Sequence, residues 1–241
     1  MMIESLKRQK CIALLMDPDN YEPDDIKMLK GIRSGNRPDF IFMGGSLTSV
    51  HPDKLIANLK ESTDIPVVLF PGSLLQLSDK ADAILLLSLI SGRNPDLLIG
   101  NHVIAAPHLK KMDIEIIPTG YVLISCGAKT SVEYMSQTDA IPSSKIDIAV
   151  ATAIAGEMLG LKIIYLEGGS GAGHPVPPAV IREVRSAVSV PLIVGGGLRT
   201  GDNIREAFDA GADMVVLGNG YEEDPGLLEI ACRVREENRA V

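Results

Sequence analysis

The chain has no tryptophan, and its five tyrosines and four phenylalanines make aromatic residues only 4% of 241. Platforms for stacking bases are therefore scarce. Cationic side chains are also in the minority, with 23 Lys and Arg against 31 Asp and Glu and a net charge of −8. Non-specific nucleic-acid binding rests on basic patches, so no nucleic-acid partner is expected. Three cysteines, Cys11, Cys126 and Cys232, stand at unrelated spacings. That argues against a disulfide framework or a zinc cluster, and it points to a reducing, cytoplasmic setting. The four histidines, His51, His102, His108 and His174, share no metal-binding spacing either. No apolar run reaches the roughly 18 residues of a membrane span. The charged start, Met1 to Lys10, is unlike a secretory leader.

What is plentiful is apolar residue, 46% of the chain, enough for one large core and a single domain over residues 1–241. The apolar residues come in eight short runs: Cys11–Met16, Phe40–Met43, Pro66–Phe70, Ala83–Leu87, Glu115–Ile124, Lys162–Leu166, Pro191–Val194 and Asp213–Leu217. Each run gives way to a turn and, in most cases, to helical spacing, for example over Pro23–Arg33, Lys145–Leu159 and Pro178–Val188. The runs are continuously apolar rather than alternating, as strands covered on both faces require. An α/β fold of the (β/α)8 TIM-barrel type fits the count and the length. An open doubly wound sheet is the alternative, but its Gly-x-Gly-x-x-Gly turn after a first strand is absent. The polar stretch 125–144 reads as irregular and long, a candidate cover for the barrel mouth.

Three glycine turns follow consecutive late strands: Gly168-Gly-Ser-Gly171, Gly195-Gly-Gly197 and Gly218-Asn-Gly220. Glycine lets a ligand approach the backbone closely, and such loops expose N–H groups to anions. In a barrel these turns share one mouth with Asp17, Gly44-Gly-Ser46 and Glu167, and phosphate is often held there by the last two loops. Glu167, beside the glycines, is a candidate base. A net negative protein must hold an anionic substrate by such local means or through a metal ion.

In this order and spacing, Asp17-Pro-Asp19, Phe42-Met-Gly-Gly-Ser46, Ile117-Pro-Thr-Gly-Tyr121, Tyr165-Leu-Glu-Gly-Gly-Ser-Gly171, Val194-Gly-Gly-Gly197 and Gly218-Asn219 resemble the geranylgeranylglyceryl phosphate synthases. The resemblance covers essentially the whole chain. It is closer to the longer archaeal and bacterial branch than to the shorter heptaprenylglyceryl phosphate synthases. It implies transfer of a geranylgeranyl group from its diphosphate to the sn-3 hydroxyl of sn-glycerol 1-phosphate. It also implies Mg²⁺ on Asp17 and Ser46, with glycerol phosphate on Tyr165, Leu166, Glu167, Gly168, Gly169, Ser170, Gly171, Gly196, Gly197, Gly218 and Asn219. A homo-oligomer, dimer or hexamer, is implied as well, and a lipid substrate implies transient contact with a membrane surface. Asn20 departs from the family pattern, standing where many relatives carry lysine, and Gly168 stands where alanine is frequent. Tyr121 and Arg199 are open cases: Tyr121 either reaches the glycerol phosphate or is a partly buried structural tyrosine, and Arg199 either supports the phosphate loop or is a solvated surface residue. A phosphate-gripping isomerase or aldolase would also use such turns, but no lysine is well placed for a Schiff base. A non-catalytic barrel that binds phosphorylated ligands is the remaining alternative.

Overall fold

The computed structural model describes residues 1–21 and 34–239. The helix expected between Pro23 and Arg33 lies outside the described residues. Among the described residues there are nine strands: β1 (Cys11–Met16), β2 (Phe40–Met43), β3 (Val67–Leu69), β4 (Ala83–Leu89), β5 (Glu115–Ser125), β6 (Ile141–Pro142), β7 (Ile163–Glu167), β8 (Leu192–Gly195) and β9 (Met214–Leu217). All pair in parallel, in the order β1-β2-β3-β4-β5-β7-β8-β9, and β9 returns to β1 to close an eight-stranded barrel. The two-residue β6 adds to the end of β5 outside that ring. The barrel expectation holds, and the strand bounds agree with the apolar runs to within about two residues.

Alternation along each strand splits the core in two. On β1, Cys11 and Ala13 face the barrel interior, whereas Ile12, Leu14 and Met16 face the helices outside. With both faces dry, neither set could be polar, which is why the runs read as unbroken. Helix α1 (Met2–Arg8) packs Met2 and Leu6 into the interior set. The Met1 ammonium lies 3.0 Å from Glu115, at the start of β5.

The other described helices are α2 (Asp53–Ser62), α3 (Asn101–Leu109), α4 (Ser131–Ser136), α5 (Ile146–Met158), α6 (Pro178–Ala187), α7 (Gly201–Asp209), α8 (Asn219–Glu223) and α9 (Leu227–Arg239). Helix α6 opens on Pro178, where a missing N–H costs nothing. The connection from β3 to β4 contains only a 3₁₀ turn, Leu74–Gln76. Stretch 125–144 is more ordered than its composition suggested. Thr130 and Glu133 form a capping box that starts α4, and Glu133 also accepts the Ala140 N–H at 3.2 Å.

Four of the few aromatic residues form one layer inside the barrel. Phe70 lies 6.0 Å from Phe42 and 5.3 Å from Tyr165 between ring centroids, and Tyr121 meets Tyr165 edge-on at 5.3 Å. Two residues further along β7 from Tyr165, on the same face, stands Glu167.

Candidate active site

A cavity of about 860 Å³ opens at the C-terminal ends of the strands. Asp17, Ser46, Tyr165, Glu167, Ser170, Gly196, Gly197, Gly218 and Asn219 line it together, as do Tyr121 and Arg199. Leu166 faces away into the outer core, because neighbours on a strand alternate. Gly168, Gly169 and Gly171 are not among the lining residues.

Glu167 is buried, and its Oε1 accepts the Gly169 N–H at 2.6 Å. Burial raises the pKa of its carboxyl above the usual range. The Gly169 N–H and the phenols of Tyr165 and Tyr121 pull it part of the way back. Burial, and then the facing carboxylate, push both phenols well above their ordinary pKa, so they stay protonated and can donate. A Cβ on Gly196, whose φ is +84°, would come within 2.5 Å of Glu167 Oε1 and 2.6 Å of the Gly169 nitrogen. A Cβ on Gly195 would collide with Tyr165 Oη. The triple glycine is therefore the condition for seating this carboxylate between two loops.

The loop N–H groups are not all free, contrary to expectation. Gly168 donates to Gly195 O at 2.9 Å, Gly169 to Glu167, and Gly171 to Asn219 Oδ1 at 3.2 Å. Ser170 Oγ donates to the same Asn219 oxygen at 3.0 Å. Arg199 donates to Ala172 O at 2.7 Å and meets Glu223 at 3.3 Å, so it laces the loops after β7, β8 and β9 together. Of its two readings, loop support is the one the geometry favours.

Across the mouth, Asp17 follows β1 and is half buried. Burial raises its pKa; the Asp19 N–H, which donates to its Oδ1 at 3.0 Å, lowers it, and the charges of Asp19 and Glu222 raise it again. Asp19 stands two residues on from Asp17. Its carboxylate accepts the N–H groups of Ser49 and Val50 at 2.7 and 2.8 Å, which holds the loop after β2 and lowers its own pKa. Asp17 Oδ2 occupies the space that a Cβ on Gly45 would need. Carboxylate and hydroxyl oxygens crowded by like charge suit a hard cation such as Mg²⁺. Among the described residues, no group of three or more His, Cys, Asp or Glu side chains could hold a metal unaided. A cation here would need phosphate or water oxygens as well.

Sequence reasoning missed three contributors. Gln76 brackets the loops after β2 and β3, and nothing in a polar residue on a loop announces it. Lys129 and Thr130 line the cavity, with Thr130 packed on Gly169. The signal for these was the Thr130-x-x-Glu133 capping pattern, which marks a folded segment. Lys129 is the one lysine among the described lining residues, and it sits on a loop rather than at a strand end.

A model of the PcrB family matches residues 4–235. A geranylgeranylglyceryl phosphate synthase of Spirosoma linguale is 51% identical, over 98% of this chain and 96% of its own length. One from Thermococcus gammatolerans is 39% identical over 99% and 94%. Among solved structures, the (S)-3-O-geranylgeranylglyceryl phosphate synthase of Thermoplasma acidophilum, in complex with its substrate sn-glycerol-1-phosphate, superposes with a TM-score of 0.90 at 32% identity. That match covers 98% of this chain and 97% of the other. A thiamine phosphate pyrophosphorylase from Pyrococcus furiosus, at 13% identity and a TM-score of 0.56, shares the fold alone.

Proposed function

The chain belongs to the PcrB family, and from that premise we propose that it is a geranylgeranylglyceryl phosphate synthase. The observation that carries the reading is Glu167, a buried carboxylate between a glycine-built phosphate loop and an open, apolar-walled groove. In the reaction, the sn-3 oxygen of sn-glycerol 1-phosphate forms a bond to C1 of the prenyl donor. The bond from C1 to the diphosphate oxygen breaks, diphosphate leaves with the electron pair, and Glu167 takes the hydroxyl proton. A carboxyl whose pKa is raised is a stronger acceptor for that proton than an ordinary one. The phenols of Tyr121 and Tyr165 stay protonated beside Glu167, and Tyr165 Oη, buried with no hydrogen-bond partner among the described residues, can donate to a glycerol oxygen. The phosphate fits the Gly196–Gly197 turn and the neighbouring Gly218-Asn219 turn, which line the same cavity.

Asp17 and Ser46 would hold Mg²⁺, which when bound supplies charge neutralisation for the leaving diphosphate. The prenyl chain would run along Leu85, Leu87, Leu89 and Leu97, with α4 beside it. Leu47, Leu75 and Tyr134 are exposed at the rim of the same cavity, which fits transient contact with a lipid surface that supplies the donor. No helix among the described residues is long and apolar enough to cross a membrane. Ile99, Val103 and Ile104 before and within α3, and Met158 and Leu159 at the end of α5, leave apolar surface that suits a homo-oligomer. All three cysteines are buried and none of them forms a disulfide among the described residues, in keeping with a cytoplasmic site of action.

The test is incubation of radiolabelled sn-glycerol 1-phosphate with C10 to C35 prenyl diphosphates, with and without Mg²⁺. Organic-extractable product that needs Mg²⁺ and is greatest with the C20 donor supports the proposal. A C35 optimum would make the chain a heptaprenylglyceryl phosphate synthase. No product with any donor would overturn the reading.

A further inference from the structure

Gln76 is a polar side chain with 2% exposure in the short connection that joins β3 to β4. Its neighbours Leu75 and Leu77 line the cavity, but Gln76 turns away from it. Its Oε1 accepts the Gly72 N–H at 3.0 Å and the Gly45 N–H at 3.4 Å, and its Nε2 donates to Gly45 O at 2.8 Å. One side-chain amide thus holds both polar groups of the Gly45 residue and ties them to the loop after β3. The two loops touch so closely that a Cβ on Gly72 would collide with Gly45 O. On its other side, Gly45 backs against Asp17 Oδ2, and Ser46 is the next residue. The chain of contact runs from amide to peptide to carboxylate.

We propose that Gln76 is a positioning residue for the diphosphate side of the reaction. It fixes Gly45, and through it the relation of Ser46 to the Asp17 carboxylate, so that oxygens from two loops face one point. The inference rests on the function proposed above. Only a side chain with an acceptor and a donor on one planar head serves both bonds to Gly45: ionised glutamate lacks the donor, and methionine has no donor and only a weak sulfur acceptor. Residues that orient ligands from behind typically change metal affinity or activity by about 10- to 100-fold when altered.

The test uses the full chain and two variants, Gln76→Met and Gln76→Glu. Calorimetry measures Mg²⁺ binding in the presence of inorganic diphosphate and, separately, binding of sn-glycerol 1-phosphate. Kinetics give KM for each substrate. The expected result for Gln76→Met is roughly a tenfold or greater loss on the diphosphate side, with glycerol phosphate affinity within about twofold of wild type. In Gln76→Glu, the deficit relative to wild type should narrow as pH falls, because a protonated carboxyl regains a donor for Gly45 O. Equal losses for both substrates, or none, in a variant that unfolds like wild type would overturn the proposal. If Gln76→Met does not fold, the pH dependence of Gln76→Glu decides, and a flat profile counts against it. Wild-type protein that binds no Mg²⁺ with diphosphate would sink the metal reading itself and this inference with it. Only a loss concentrated on the diphosphate side, or a deficit in Gln76→Glu that narrows as pH falls, supports Gln76.

Discussion

The two halves of the barrel mouth are built by different means. On the side of β7, β8 and β9, short loops press against one another through glycines, and the backbone N–H groups of Gly168, Gly169 and Gly171 are bonded within that half. On the side of β1, β2 and β3, the loops are held by individual side chains, Asp19 and Gln76, and their tips expose Leu47 at 74% and Leu75 at 82%. The first half is a rigid mould for a small, highly charged group. The second is a bracketed frame open on one flank, suited to a ligand that is charged at one end and apolar along its length. A phosphate on a three-carbon acceptor and a diphosphate on a long prenyl chain make just those two demands.

The largest effect is expected where the halves meet. Glu167→Gln preserves the acceptor for Gly169 but cannot take a proton, so turnover should fall by about 100- to 10,000-fold. Glycerol phosphate affinity, measured by calorimetry, should change only a few-fold. Gly196→Ala attacks the mould alone. Its positive φ and the 2.5 Å approach to Glu167 Oε1 leave no room for a methyl group. Strain of about 1–3 kcal/mol is expected, seen as a lower thermal midpoint, together with a loss of glycerol phosphate binding that exceeds any loss of diphosphate binding.

Tyr121→Phe should have a smaller effect, visible in pH. The phenol favours the ionised form of Glu167, so removing it raises a pKa that burial has already raised. A base works only when deprotonated, so the acid limb of the kcat/KM profile should move to higher pH. A shift to lower pH would refute the contact. The smallest change is expected from Leu75→Ser at the rim of the open half. Turnover with donor supplied in lipid vesicles should fall a few-fold, and more than turnover with a soluble C10 donor.

The mould was far more legible in the sequence than the frame. Its strands are unbroken apolar runs because both faces are buried, and each run ends on glycines that the close packing of loops demands. Glu167 stood out because it ends a strand directly beside the glycines of a loop suited to anions. The frame depends on contacts between residues far apart in sequence, such as Gln76 with Gly45, which no local pattern encodes. Helix α1 escaped notice because seven residues with only Met2 and Leu6 as buried anchors do not establish a helical period. The free N–H groups expected in Gly168–Gly171 were wrong for a related reason. Glu167 occupies the Gly169 N–H locally, and the acceptors for Gly168 and Gly171 come from Gly195 and Asn219, distant in sequence.

The most direct test of this account pairs calorimetry with single-turnover kinetics on Glu167→Gln. The account predicts glycerol phosphate binding close to wild type and a chemical step slowed by at least about 100-fold. Near-normal turnover would show that the proton goes elsewhere. Loss of glycerol phosphate binding along with turnover would show that Glu167 belongs to the mould rather than to the chemistry.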